Sequence, residues 1–294
     1  MIKTKMVLHS SCLALLTFVN QNAWSKNQIN IEAPSFNGVY GGLGMGLMGT
    51  RAKLQSNTAI TLYNSLSNNP FQIQNSIQKN DSDNIEGFLT LTLGLGQLIG
   101  SSNFYAGIEG FYNPETNSNI YNQSLASYSN SLAETLINFP HSYTTLKQEN
   151  YSYGGDLKLG HLFNNRTLAY IRVGVEFNKT NITSNYTLNY TDLNPTPPES
   201  SFSYLNVNKS KTLSGLRLGF GGEYAITKAI HLNMDVIYTG YESLRANGTG
   251  NTISPFNGSG DQNVVRPDGF TNTTKAWNIQ NLAVLIGLKY YFKN

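Results

Sequence analysis

Hydrophobic residues in this chain recur at every second position, in short segments divided by polar stretches. The last segment is the clearest. Leu282, Val284, Ile286, Leu288, Tyr290 and Phe292 form one alternating set. Successive strand residues point to opposite faces, so this set makes a single apolar row. The row has the length of a membrane-crossing strand, roughly 9–11 residues. Seven earlier segments read the same way. They are Gly38 to Leu54, Ile85 to Gly96, Asn103 to Tyr112, Tyr151 to Phe163, Leu168 to Asn178, Leu213 to Tyr224 and Ile230 to Tyr241. In the second, for example, Leu89, Leu91, Leu93 and Leu95 oppose Thr90, Thr92 and Gly94.

The connections fall into two classes that alternate. Gln97 to Ser102, Asn164 to Thr167 and Ala225 to Ala229 are short. Gln55 to Asn84, Asn113 to Asn150, Lys179 to Thr212 and Glu242 to Ala276 are long. This order predicts an all-β fold: a transmembrane antiparallel up-and-down β-barrel of eight strands, or ten if the long connections hide a further pair. Short turns then lie on the periplasmic side and the four long loops outside. Closure leaves no open edge and satisfies the backbone polar groups, as lipid demands.

The long connections carry weaker patterns. Leu125, Tyr128, Leu132 and Leu136 recur at helical spacing before Pro140, which predicts a short amphipathic helix. Ile60, Tyr63 and Leu66 hint at another helical turn. Ile182 to Tyr190 and Phe202 to Val207 alternate around a proline-rich stretch, which predicts a hairpin continuing the fifth and sixth strands. Tyr40, Tyr112, Tyr151, Tyr241, Trp277 and Tyr290 lie at segment ends and are expected as interfacial girdle residues.

The N-terminus adds a location. Lys3 and Lys5 precede an apolar run from Met6 to Val19, followed by Ala23-Trp24-Ser25, the pattern of a cleaved secretory signal peptide. The expected organisation is a signal peptide over 1–25, a short periplasmic segment over 26–37 and the barrel over 38–294. Cys12, the only cysteine, lies in the first of these, so the exported chain would hold no disulfide. Charged residues are only 13% of the chain, about half the share in a soluble domain, while aromatics reach 12%. A net charge of +3 without basic clusters argues against a nucleic-acid partner.

Charge placement sharpens the facing. Glu86, Glu109, Asp156, Lys158, Arg172, Glu176, Arg217, Glu223, Asp235 and Lys289 all fall on the face opposite the apolar rows. A charge turned to lipid at the midplane costs about 2–4 kcal/mol. Inside a narrow barrel these groups must pair, because an unpaired buried charge is expensive. Two readings are open: a hydrogen-bonded plug, or an ion path or catalytic dyad. His161, His231 and His141 have no metal spacing, and no nucleophile or phosphate-loop motif occurs. No cofactor, metal site or enzymatic activity is expected.

Three stretches carry a resemblance to a known family. They are Val39-Tyr40-Gly41-Gly42-Leu43-Gly44-Met45-Gly46, then Gly215-Leu216-Arg217-Leu218-Gly219-Phe220-Gly221-Gly222-Glu223-Tyr224, and the closing strand. From Gly38 to Phe292 the chain resembles the small outer-membrane barrels of Gram-negative bacteria, those of the OmpA transmembrane domain and the opacity-type surface proteins. The resemblance implies an outer-membrane location, lipid and lipopolysaccharide as surroundings, and recognition of the last strand by the barrel-assembly machinery. Gly287, Tyr290 and Phe292 match that assembly signal. Phe292 is followed by Lys293 and Asn294, and Leu285 stands where a polar residue is usual.

Such folds host several functions. The sequence supports a surface protein acting through loops 55–84, 113–150, 179–212 and 242–276 on an extracellular ligand or in a structural role. The alternatives are a narrow porin-like channel for small solutes and, from another class, a secreted soluble β-sandwich.

Overall fold

Alternation becomes geometry in a computed structural model, which describes residues 36–64, 70–100, 102–114, 119–130, 135–192, 199–250 and 265–292. Every regular element in it is a strand. In chain order these are β1 (Gly38–Asn64), β2 (Pro70–Leu98), β3 (Phe104–Asn113), β4 (Asn119–Asn130), β5 (Thr135–Asn164), β6 (Thr167–Asp192), β7 (Glu199–Ala225), β8 (Ile230–Tyr241), β9 (Leu244–Gly250) and β10 (Val265–Tyr291). All ladders are antiparallel. The order β1-β2-β3-β5-β6-β7-β8-β10 closes on itself through β1 and β10, giving an eight-stranded ring.

The closing ladder runs from Tyr40 opposite Tyr291 to Asn64 opposite Val265. The register puts Leu43, Met45 and Leu47 on the outer face with Ile286 and Leu288, all about half exposed or more. Leu89, Leu91, Leu93, Leu95, Ile108, Leu157, Ile171, Leu216 and Leu218 continue this apolar belt around the ring. The short turns are tight. Asn165 and Arg166 alone join β5 to β6, and the Arg166 N–H donates to Asn164 Oδ1 at 2.8 Å. Gly100, at φ 60, turns the chain between β2 and β3.

The strands run well past the belt. β4 continues β3 along β5, and β9 continues β8 along β10. The β2–β3 ladder stops at Leu91 opposite Tyr112, and the β7–β8 ladder stops at Gly215 opposite Tyr241. Beyond those points, among the described residues, the ladders form two sheets, β9-β10-β1-β2 and β4-β5-β6-β7. The barrel thus opens into a two-sheet sandwich with its own core. Ala52, Leu54, Leu244, Ala246, Ala276 and Ile279 come from one sheet. Leu146, Ile182, Leu205, Val207 and Leu213 face them from the other. Ser184 Oγ and Thr274 Oγ1 meet across the sheets at 2.9 Å.

Several sequence expectations change here. Leu125, Tyr128 and Leu136, expected in a helix, lie in strands instead, over 119–130 and from Thr135 onward, and Leu132 falls outside the described residues. Ile60 and Tyr63 lie within β1, not in a helical turn, and Leu66 falls outside the described residues. Helical spacing in a polar Asn/Ser/Thr-rich stretch is weak beside ladder pairing with a neighbour already extended. The hairpin expected from Ile182 to Val207 is present, with Asp192 opposite Glu199. Most of the four long loops are therefore strand. Tyr40 and Tyr241 are not girdle residues: both are buried inside the ring. Their parity explains it, since Tyr40 shares a face with Gly42 and Gly44.

Candidate functional site

Alternate residues of β3, β5, β6, β7, β8 and β10 send charged side chains into the ring. Glu109 on β3 is the first centre. It receives Lys158 Nζ at 2.5 Å, Arg172 at 2.8 Å and Lys289 Nζ at 3.4 Å. Arg172 is the second. Its guanidinium also pairs with Asp156, and with Asp235 at 3.2 Å. Arg217 extends the chain of pairs, to Asp156 at 3.2 Å and Glu176 at 3.0 Å, and its guanidinium carbon stands 3.8 Å from the centre of the Phe111 ring. Lys289 leads the other way, to Glu223 at 2.8 Å, and Glu223 meets His231 Nδ1 at 2.8 Å.

Nine of the ten charged residues read from the sequence are therefore brought into one connected, buried network. The tenth, Glu86, is half-buried and accepts from Asn84 Nδ2 at 2.5 Å. The network holds five carboxylates (Glu109, Asp156, Glu176, Glu223 and Asp235) against four bases (Lys158, Arg172, Arg217 and Lys289). His231 is the only further group in it that can carry positive charge.

Further oxygens accept from residues that the sequence reading did not single out for this role, while Asp156 Oδ1 is buried without a hydrogen-bond partner. Tyr40 Oη donates to Glu109 at 3.0 Å, Tyr170 Oη to Asp235 at 2.9 Å and Tyr291 Oη to Glu223 at 2.8 Å. Ser152 and Thr239 donate to Glu176 at 2.7 and 2.8 Å. The signal that finds these is strand parity alone. His231, for instance, shares a face with Asn233 and Asp235. Glycines at matching positions leave the space: a Cβ on Gly94 would strike the Tyr40 ring, and one on Gly96 the Tyr105 ring.

Both ends of the network are closed by apolar groups. At the short-turn end Phe36 is fully buried, 4.8 Å from the His231 ring, in a cluster with Tyr105, Leu162, Leu168, Tyr170 and Ala225. Asn37 Oδ1 ties that segment to the Leu98 N–H at 2.6 Å. Toward the hairpins, Met48, Phe88, Ile237, Ala283 and Leu285 pack together, and the sandwich core lies beyond them. Leu285, unusual for its position, thus belongs to an interior apolar cluster. A groove of about 790 Å³ lies among outward residues of the belt, around Leu93, Leu95, Ile108, Leu157 and Val173. Among the described residues no three of His, Cys, Asp and Glu gather as a metal site.

Of the assembly-signal residues, Gly287 is buried, and a Cβ there would press on the Leu43 carbonyl at 2.9 Å. Tyr290 and Phe292 are half exposed on the outer face, with ring centres 5.4 Å apart. The Phe292 N–H donates to the Val39 carbonyl at 2.9 Å, which locks the last strand to the first.

A closed ring with an apolar outside and a charged inside is what a bilayer requires of strands. Residues 11–292 match the family model described as the outer membrane protein beta-barrel domain. The chain belongs to that family. This outer-membrane barrel is also similar to solved structures. One is Ail, the attachment invasion locus protein of Yersinia pestis, at 10% identity over 87% of this chain and 99% of that one, with TM-score 0.29. A second is Neisserial surface protein A, at 13% identity over 84% and 97%, with TM-score 0.31. A third is the outer membrane protein OprG from Pseudomonas aeruginosa, at 11% identity over 88% and 99%, with TM-score 0.40. No curated protein matches the chain in sequence.

Proposed function

We propose that this outer-membrane barrel is a sealed, non-enzymatic surface protein that acts through its projecting hairpins. A signal peptide over 1–25 delivers the chain to the periplasm, and the usual barrel orientation leaves the short turns there and the sandwich outside the cell. The last strand, through Gly287, Tyr290 and Phe292, presents the barrel to the assembly machinery. The single observation that carries the reading is the filled interior. Paired charges occupy the ring, Phe36 stops one end, and the sandwich core stops the other. Closely paired buried ions form a rigid plug, whereas a conducting path needs mobile water.

The sandwich then supplies the working surface. Rigid scaffolds commonly present recognition on their loops and tips. Here the strands carry those tips clear of the lipid, which favours adhesion to another surface, or a structural contact, over transport. Planar-bilayer recording tests the seal. The expected result is no steady unitary current, and a reproducible single-channel current establishes the narrow-channel alternative instead. Shortening the hairpins at 55–84 and 113–150 tests the surface role. Unchanged attachment of cells carrying the shortened barrel removes its basis.

A further inference from the structure

Where the barrel becomes a sandwich, four strand edges lose a neighbour. In ring order β2 borders β4 and β7 borders β9, yet among the described residues no ladder joins either couple. An open edge is a row of unpaired N–H and C=O groups, ready to pair with another chain. Proteins guard such edges with charges, with proline or by keeping the strand short. Three of these four edges are guarded. Beyond its ladder with β3, β2 carries Pro70, Lys79, Asp81, Asp83 and Glu86. Beyond its ladder with β8, β7 carries Glu199, Lys209 and Lys211. β9 has only 7 residues and includes Arg245.

β4 has no such guard. Asn119–Asn130 runs for 12 residues without a charge, a proline or a glycine. Its single ladder, with β5, is irregular only between Ser124 and Ala126, and the extra residue there belongs to β5, at Pro140 and His141. Ile120, Tyr121 and Tyr128 are strong strand formers. A charge-free run of strand formers without proline is the kind that pairs with its own copies. The amides of Asn119, Asn122, Gln123 and Asn130 both donate and accept, so they suit a partner of the same composition. The guarded edges suit it less, because pairing strips water from their charges.

We propose that the free edge of β4 pairs antiparallel with β4 of a second copy of this chain, held in a facing membrane. This deepens the surface role proposed above and rests on the hairpins lying outside the cell. Pairing of one strand with itself is isologous, and its twofold axis reverses the strand. Barrel strands run across the membrane, so the reversed copy points the other way and belongs to an opposite surface. Pairing centred on Ser124 also sets Ile120 opposite Tyr128 at both ends, an aromatic and β-branched match. Main-chain hydrogen bonds supply the affinity, as in other strand-addition contacts. The contact joins cells that carry the same barrel.

The test uses the refolded full chain in lipid nanodiscs, with association read by sedimentation. The parent chain is expected to form disc pairs. Gln123→Lys with Ser124→Lys puts one charge on each face of β4, since neighbours along a strand alternate. Like charges then stand opposite each other, and association is expected to weaken about tenfold. Gln123→Glu with Ser124→Glu is expected to do the same alone, and an equimolar mixture of the two variants to restore pairing. That rescue separates lost pairing from lost folding. Parent discs that stay single overturn the proposal, as do lysine-variant discs that pair like the parent. So does a mixture that stays single while each variant keeps its heat-modifiable migration. Clumping of whole cells reads the orientation separately: pairing of discs without clumping of cells counts against the placement of the hairpins outside, not against the edge.

Discussion

The barrel and the sandwich are made from the same strands with opposite polarity. In the belt, Leu43, Met45, Leu91, Leu157 and Leu218 face out, while Glu109, Asp156, Arg172 and Arg217 face in. Farther along, Leu54, Leu146, Ile182, Leu205 and Ala276 face in, while Lys147, Asn206, Asn208 and Lys275 face out. In β5, β6 and β7 the inward parity is kept and what changes is which parity is apolar, whereas in β10 an irregularity at Asn278 turns the same apolar parity from outward to inward. β5 makes the change between Leu146, buried, and Leu157, exposed. The solvent outside therefore sets the interior. Lipid permits charges only inside the ring, where they must be paired, and water permits an ordinary dry core.

The sharpest way to break the comparison is at Arg172, which holds Glu109, Asp156 and Asp235 together. Arg172→Met leaves three carboxylates buried without their common partner. Removing one member of a buried pair costs about 3–5 kcal/mol. Denaturant unfolding of the refolded barrel, followed by heat-modifiable migration, should show a loss of that order. A loss below about 1 kcal/mol means the network is hydrated and its pairing dispensable. The second point of attack is the sandwich core. Leu146→Ala should cost about 3 kcal/mol, within the range for a buried leucine. The loss should appear as protease sensitivity in 135–192 while the belt keeps its heat-modifiable form. Joint melting of both parts would make them one cooperative unit.

The belt was legible in the sequence because two signals agree there. Alternation gives the strands, and the absence of outward charge gives the facing. The eight-stranded ring and the interior placement of Asp156, Arg172 or Glu223 follow from those signals together. Of the sandwich only the hairpin from Ile182 to Val207 was legible, for a physical reason. Its outward residues are polar, such as Asn206, Asn208 and Lys147, and its inward ones include small residues such as Ala52, Ala246 and Ala276. Contrast along the strand falls, and Leu125, Tyr128 and Leu132 then imitate a helix. Tyr40 and Tyr241 were misjudged because a tyrosine at a strand end suits a girdle and a buried hydrogen bond equally. Parity decides between them: Tyr40 aligns with Gly42, on the inner face.

A milder contrast uses one substitution in both regions. Leu47→Lys puts a charge on the outer face of the belt, 63% exposed to what is lipid in the membrane. A cost of about 2 kcal/mol is expected, at the low end because Leu47 lies toward the edge of the belt. Asn206→Lys puts the same charge on the outer face of the sandwich. There the change should stay within about 0.5 kcal/mol, as for an ordinary surface site. Equal costs at both positions would place the lipid boundary elsewhere along the strands.

The smallest expected effect concerns the rim between the two regions. Glu242 accepts from Lys211 Nζ at 2.9 Å and from the Ser214 N–H at 3.2 Å. The bond from Lys211, and then that from the Ser214 backbone, hold its carboxyl below the usual value of 4.5. Because folding lowers this pKa, the stabilisation is complete above about pH 4.5 and is lost as the pH falls through the lower, folded value. The pair is largely exposed, so the gain is screened and amounts to at most about 1 kcal/mol. Unfolding midpoints taken at pH 7 and pH 3 should therefore differ slightly less in Glu242→Gln than in the parent chain. Salt should shrink that difference further, since the two charges meet in water. An identical acid slope in both chains would mean that the rim ion pair contributes nothing to joining barrel and sandwich, and that the strands running through both regions join them without it.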